Sequence, residues 1–134
     1  ISTYGIHAGD VDRDGSPDIT AINEYSRDLR TFRNDGCTTF GPMTSTADGN
    51  NQPSPHESAD FNRDGWLDLA VIDESRVSLM RGVGDGSFAK GTTIEFPAPV
   101  VELSLFDLNR DGRDDLVAGT FTGASQLTIA LSGP

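Results

Sequence analysis

The chain has 134 residues and a formal charge of −11, with ten Lys and Arg against 21 Asp and Glu. That length suits one domain with a modest core, and an acidity of this size speaks against nucleic acid or an anionic membrane as partner. No apolar run approaches the roughly 18 residues of a membrane span, so no span is expected.

Fifteen glycines, seven prolines and many short apolar runs predict an all-β chain without helices. Residues 5–9 predict a first strand, and the stretch Asp10-Val11-Asp12-Arg13-Asp14-Gly15-Ser16-Pro17-Asp18 follows it as a loop. Residues 19–22 and 29–33 predict a second and a third strand. Asn34-Asp35-Gly36 reads as a hairpin turn, with a fourth strand over 38–42. Residues 44–53 are polar and turn-rich and read as a connection. The order then begins again with a strand over 55–59 and the loop Asp60-Phe61-Asn62-Arg63-Asp64-Gly65-Trp66-Leu67-Asp68. Strands over 69–72 and 77–81, the turn Gly84-Asp85-Gly86 and a fourth strand from Ser87-Phe88 complete that copy. A third copy has a strand over 101–106 and the loop Asp107-Leu108-Asn109-Arg110-Asp111-Gly112-Arg113-Asp114-Asp115. Strands over 116–118 and 127–131 follow, with no fourth strand before Pro134. The loops begin at 10, 60 and 107, intervals of 50 and 47 residues. Four short strands per period of that length predict β-propeller blades. The segment 1–134 thus divides into repeats at about 3–48, 53–97 and 99–134, with about eleven strands in all.

All three loops read D-x-[DN]-x-D-G-x-x-D. Oxygen side chains at positions 1, 3 and 5 alternate so that a curled backbone can aim them at one centre. Glycine at position 6 supplies the turn, the position 7 carbonyl adds an oxygen, and the position 9 carboxylate closes the shell. Hard oxygen donors in a flexible cage suit calcium better than magnesium. The expected ligands are Asp10, Asp12, Asp14, Ser16 and Asp18 in the first loop. They are Asp60, Asn62, Asp64, Trp66 and Asp68 in the second, and Asp107, Asn109, Asp111, Arg113 and Asp115 in the third. Three calcium ions would bring the formal charge to about −5, so the acidity is mostly a metal requirement. These are not EF-hands: position 12 is Ala21, Val71 and Ala118 instead of a bidentate Glu, and strand-like runs replace the flanking helices.

Loop, apolar strand, third strand, D-G turn and phenylalanine together resemble the FG-GAP/VCBS repeat, over residues 6–131. The resemblance implies a calcium-binding β-propeller of the integrin-α type, with metal on the fifteen loop residues named above. Propellers of this kind have more blades than three, so the chain is expected to belong to a longer protein or to associate with further copies. The implied function is an extracellular, non-catalytic module for protein binding, adhesion or structural assembly. The alternative is a lectin-like propeller or an accessory module of a secreted polysaccharide-active enzyme, with protein or glycan as ligand.

The remaining chemistry-bearing residues are read more plainly. His7 and His56 sit one register step apart relative to their loops and read as strand histidines, and Cys37, the single cysteine, reads as a free buried thiol. With no disulfide possible within the chain, calcium takes the role of staple, which suits an extracellular setting. Trp66, Tyr25 and Phe121 have no aromatic counterparts in the other copies, so no repeated sugar-stacking site is expected; Trp66 reads as a cover for its own loop. Arg13, Arg63 and Arg110 recur at loop position 4 and read as solvated side chains balancing local acid. An arginine ring for anionic ligands is the alternative. Ile1 in place of Met, with no visible leader peptide, reads as a processed product or a piece of something longer.

Overall fold

The computed structural model describes residues 3–23, 26–36, 39–47, 53–121, 123 and 125–130. Within them the chain forms eleven strands and three antiparallel sheets. Blade 1 is the meander β1 (Thr3–Gly9), β2 (Asp18–Asn23), β3 (Asp28–Phe32) and β4 (Thr44–Ala47). Blade 2 repeats it with β5 (Pro53–Ala59), β6 (Asp68–Asp73), β7 (Arg76–Gly82) and β8 (Phe88–Glu95). Blade 3 has β9 (Val100–Phe106), β10 (Asp115–Phe121) and β11 (Ser125–Ala130), in the order β11-β10-β9. The first strands of successive blades pack side by side, β1 on β5 and β5 on β9. They therefore form the inner row of a β-propeller.

The fourth strand of blade 1 is a correction to the sequence reading. It lies at Thr44–Ala47, inside the stretch read as a connection, and not over 38–42. Pro42 has no N–H to give a ladder. The chain instead closes a wider turn through Gly41 N–H to the Arg33 carbonyl at 2.7 Å and the bridge between Asn34 and Phe40. Only after Pro42 does Thr-Ser-Thr-Ala pair with β3, Thr46 opposite Leu29. Thr38, Cys37, Tyr25 and the connection 48–52 lie outside the described residues, as do 131–134 at the end of the last predicted strand.

Two apolar layers hold the blades together, each built from the facing surfaces of two sheets. Ile22 and Leu29 of blade 1 meet Leu69, Val71, Met80 and Phe88 of blade 2, with Val11 closing the top. Ala70, Ile72 and Val77, on the opposite face of blade 2, meet Val100, Leu103, Leu116 and Ala118 of blade 3, joined by Phe96. Strand alternation makes this possible: neighbours on β6 point to opposite faces, so β6 is buried along its whole length. Each first strand carries an irregularity near the same depth, between Tyr4 and Ile6, between Pro55 and Glu57, and opposite Gly119 and Thr120. In blade 1 the extra residue is Gly5, at φ 65°, a left-handed conformation that glycine adopts without a Cβ penalty. His56 is the extra residue in blade 2. It therefore has no counterpart to His7, whose equivalent position, opposite the second residue after the loop's ninth position, is Glu57.

Candidate metal centre

Each loop bridges the first and second strands of its blade, and all three fold through the same hydrogen bonds. The position 1 carboxylate accepts the position 6 amide: Gly15 to Asp10 at 3.0 Å, Gly65 to Asp60 at 2.7 Å and Gly112 to Asp107 at 2.9 Å. Position 3 accepts the position 5 amide at Asp12, Asn62 and Asn109. Position 5 accepts the position 7 amide at Asp14, Asp64 and Asp111. Side-chain oxygens at alternate positions thus bend the backbone around a common centre. Gly15, Gly65 and Gly112 all have positive φ, at 89°, 90° and 80°, which is why position 6 is glycine.

The position 9 aspartates are the most buried carboxylates of the loops, and the sequence reading assigned them only a closing role. Asp18 accepts Val11 N–H at 2.8 Å on one oxygen and Asn34 N–H at 2.8 Å on the other. Asp68 accepts Phe61 N–H at 3.0 Å and Gly82 N–H at 2.9 Å. Asp115 accepts Leu108 N–H at 2.9 Å and Asn109 N–H at 3.3 Å. Asp18 and Asp68 therefore tie the loop to the far end of the third strand, and each oxygen keeps a second lone pair for a cation. Burial pushes the Asp68 carboxyl above the ordinary value. The Gly82 and Phe61 amides pull it down, and repulsion from Asp64 and Asp60 pushes it further up. At exposed Asp64 the Trp66 amide and the Asn62 side chain hold the carboxyl below its ordinary value, helped by Arg81 and Arg13.

In loop 1 the arrangement converges. Ligand oxygens of Asp10, Asp12 and Asp18 lie within 4.8 Å of one another. Asp10 Oδ1 is buried without a hydrogen-bond partner among the described residues. A carboxylate oxygen in that position is costly unless something positive faces it. The donor set of hard oxygens at this spacing fits a divalent cation of the calcium type. Loops 2 and 3 share the backbone and the carboxylates at positions 1, 5 and 9 but carry an amide at position 3. There Asn62 and Asn109 each donate to the position 5 carboxylate, at 2.9 and 3.1 Å. Beside loop 1, Arg33 stands 3.5 Å from Asp12.

In loops 1 and 2 the position 7 side chains pack over the turn beyond the third strand of their own blade. A Cβ on Gly36 would lie 3.1 Å from Ser16 Oγ, and one on Gly84 would meet the Trp66 indole at 2.7 Å. Trp66 therefore covers that neighbouring turn rather than its own loop. Its other partner is Arg13 of blade 1, whose guanidinium carbon lies 5.0 Å from the ring centroid, within cation–π range.

The position 4 arginines are what the sequence reading missed. Arg13, Arg63 and Arg110 all sit in the left-handed region, at φ 61°, 61° and 62°, a conformation that costs about 1 kcal/mol or more for a residue with a Cβ. In blades 1 and 2 that side chain reaches the next blade. Arg13 reaches the position 6 glycine of loop 2, where a Cβ on Gly65 would collide with its guanidinium. Arg63 donates from Nη2 to the carbonyl of Gly112, the position 6 glycine of loop 3. The available signal was the same arginine three times, always two residues before a glycine. For Arg13 and Arg63 the reading as solvated side chains gives way to a contact between adjacent loops, while Arg110 is exposed as that reading expects.

A stack of antiparallel meanders, each with an acidic loop between its first and second strands, is a propeller segment of repeated blades. Comparison with known families places it more narrowly. The FG-GAP-like repeat profile matches residues 10–71 and 60–118, and the chain belongs to that family. Among solved structures it is similar to the one titled "Crystal structure of BBS1N in complex with ARL6DN, soaked with lead". The TM-score is 0.61 at 17% identity, over 96% of this chain and 40% of that one. The chain thus spans less than half of that structure's length, and the likeness is one of fold. A comparison with curated protein sequences returned no match.

Proposed function

We propose that the chain is a calcium-binding β-propeller module of an extracellular protein, non-catalytic, that serves protein binding, adhesion or structural assembly. The observation that carries the calcium reading is the loop 1 oxygen cluster, with a buried Asp10 oxygen that has no hydrogen-bond partner among the described residues. A divalent cation would satisfy that oxygen and the position 9 carboxylate together. Three ions are expected, one per loop. Their side-chain ligands are positions 1, 3, 5 and 9, and the carbonyls of Ser16, Trp66 and Arg113 add a further oxygen to each. Loop 1, with four aspartates, is the highest-affinity site on charge count, although Arg33 beside Asp12 offsets part of that advantage. An ion enclosed in this way acts as a staple rather than a Lewis acid, because a catalytic metal needs an open position.

Several observations support the non-catalytic and protein-binding parts of the reading. Each loop carboxylate at positions 1, 5 and 9 accepts at least one backbone amide, so these groups serve the loop's own fold. His7 has no Ser or Cys in a catalytic motif beside it in sequence; burial holds it below its ordinary pKa, with Glu57 acting in the opposite direction. Trp66 lies between Gly84 and Arg13, which favours protein over glycan as ligand, since its ring is taken up by the blade contact. The extracellular assignment rests on the match between such sites and millimolar calcium.

Terbium supplies a test, because Trp66 is a ligand residue of loop 2 and its indole can sensitise an ion held there. Titration of terbium into the protein should give tryptophan-sensitised emission, and added calcium should quench it. Asp60→Ala should abolish the emission. Wild-type protein without sensitised emission would overturn the assignment of loop 2.

A further inference from the structure

Arg13 and Arg63 stand at position 4 of loops 1 and 2, between the ligand positions 3 and 5, and each ends on the loop of the following blade. Arg63 donates to the Gly112 carbonyl of loop 3. That carbonyl shares a peptide group with the Arg113 amide, which donates to Asp111 at 2.9 Å. The peptide between positions 6 and 7 is thus gripped on both sides, by a residue of loop 2 and by a ligand residue of loop 3. The carbonyl that follows it is the Arg113 oxygen expected to face the ion. Arg13 is placed alike. Its guanidinium fills the space that a Cβ on Gly65 would need and lies 5.0 Å from the ring centroid of Trp66, the position 7 residue of loop 2.

Each arginine is aimed by its own loop. Arg13 and Arg63 are both at φ 61°, a backbone conformation that costs a residue with a Cβ. The bonds from position 3 to the position 5 amide and from position 5 to the position 7 amide bend the chain on either side of it. The same side chains at positions 3 and 5 are the expected ligands, so an ion that fixes them fixes the arginine between them. Two effects then act on the next loop with opposite signs. Cations in neighbouring loops repel, but these loop tips are exposed and the repulsion is screened by water and salt. A contact that pre-sets the next loop's position 7 carbonyl favours binding there, and couplings between sites start at about fivefold. The contact wins.

We infer that Arg13 and Arg63 are positioning residues for the metal site of the following loop, and that adjacent loops bind divalent cations with positive coupling through them. The inference rests on the calcium reading of the loops and adds to it a relation between sites: an ion in loop 2 raises the affinity of loop 3, and an ion in loop 1 raises that of loop 2. Coupling is reciprocal, so each loop is helped equally by the one after it. A factor of this size is small beside about one-hundredfold saturation of each site, so the stabilising effects of the three ions still add to first order.

The test reads loop 2 by terbium emission sensitised by Trp66, the single tryptophan of the 134-residue chain. Asp107→Ala disables loop 3 and should weaken terbium at loop 2 by about fivefold or more. In an Arg63→Met background, which keeps every ligand and removes the donor, the same change should shift it by less than about twofold. Arg63→Lys keeps the charge and a donor and should retain part of the coupling. An arginine that served the fold alone would lower the melting midpoint of Arg63→Met and leave the effect of Asp107→Ala untouched. If Asp107→Ala does not fold, Asp111→Ala takes its place with the same expectation. No weakening at loop 2 when loop 3 is disabled, or the same weakening with and without Arg63, would overturn the proposal while the metal assignment stands. Wild-type protein without sensitised emission would overturn the metal assignment of loop 2 and the inference with it.

Discussion

Removing calcium should lower the thermal stability of the chain by on the order of 20 °C. An ion that binds only the folded state at one hundred times its dissociation constant adds about 2.7 kcal/mol. Three independent loops therefore contribute roughly 8 kcal/mol, and each kcal/mol moves the midpoint of a domain this size by about 3 °C. The sign is reinforced by what remains after chelation. Four carboxylates in loop 1 and three of the position 1, 3, 5 and 9 groups in each other loop are left facing one another, as the repulsion of Asp68 by Asp64 and Asp60 already indicates. Scanning calorimetry with calcium and then with chelator reads the shift, and magnesium at the same concentration should restore only part of it. An identical midpoint with and without chelator would contradict the expectation.

Asp68→Ala should destabilise the protein by about 2–6 kcal/mol even in chelator. Asp68 is 1% exposed, and the substitution strips the amides of Phe61 and Gly82 of their acceptor. Each buried N–H left without a partner costs about 1–3 kcal/mol. Removing a carboxylate also relieves its repulsion by Asp60 and Asp64, but those two are exposed and screened by water, and their repulsion is weaker than the Gly82 and Phe61 amide bonds. The lost amide partners win. Nothing small fills the gap, because Gly82 packs directly against the Leu67 carbonyl and holds its amide where the carboxylate was. Asp60→Ala offers the contrast. Asp60 is exposed and accepts one loop amide, so in chelator its loss should cost less than about 1 kcal/mol, while in calcium it should forfeit the loop 2 contribution. Urea unfolding of both variants in both buffers separates the two roles. Equal losses for Asp60→Ala and Asp68→Ala in chelator would contradict the stapling role of position 9.

The loops and most strands were legible because their determinants are local. Ligand oxygens at alternate positions with a glycine at position 6 form a pattern readable over nine residues. The apolar run after Asp68 is continuous because β6 is buried on both faces. The fourth strand of blade 1 was not legible, because Thr-Ser-Thr-Ala has no apolar periodicity. Its place is set by the wide turn before Pro42 and by the edge of β3. The first-strand irregularities were equally hidden, since they answer to the close packing of β1, β5 and β9 around the inner row. Position 9 looked like one more ligand, and its bonds to Asn34 and Gly82 depend on where the third strand ends. The inter-loop arginines depend on a relation between blades, which no single repeat contains.

The central claim is that each of the three loops holds one calcium ion, and isothermal titration calorimetry of chelator-stripped protein tests it most directly. The account predicts three ions per chain with dissociation constants of millimolar or below. It also predicts two in each of Asp10→Ala, Asp60→Ala and Asp107→Ala. A stripped, folded protein that takes up no calcium at millimolar concentration would contradict it.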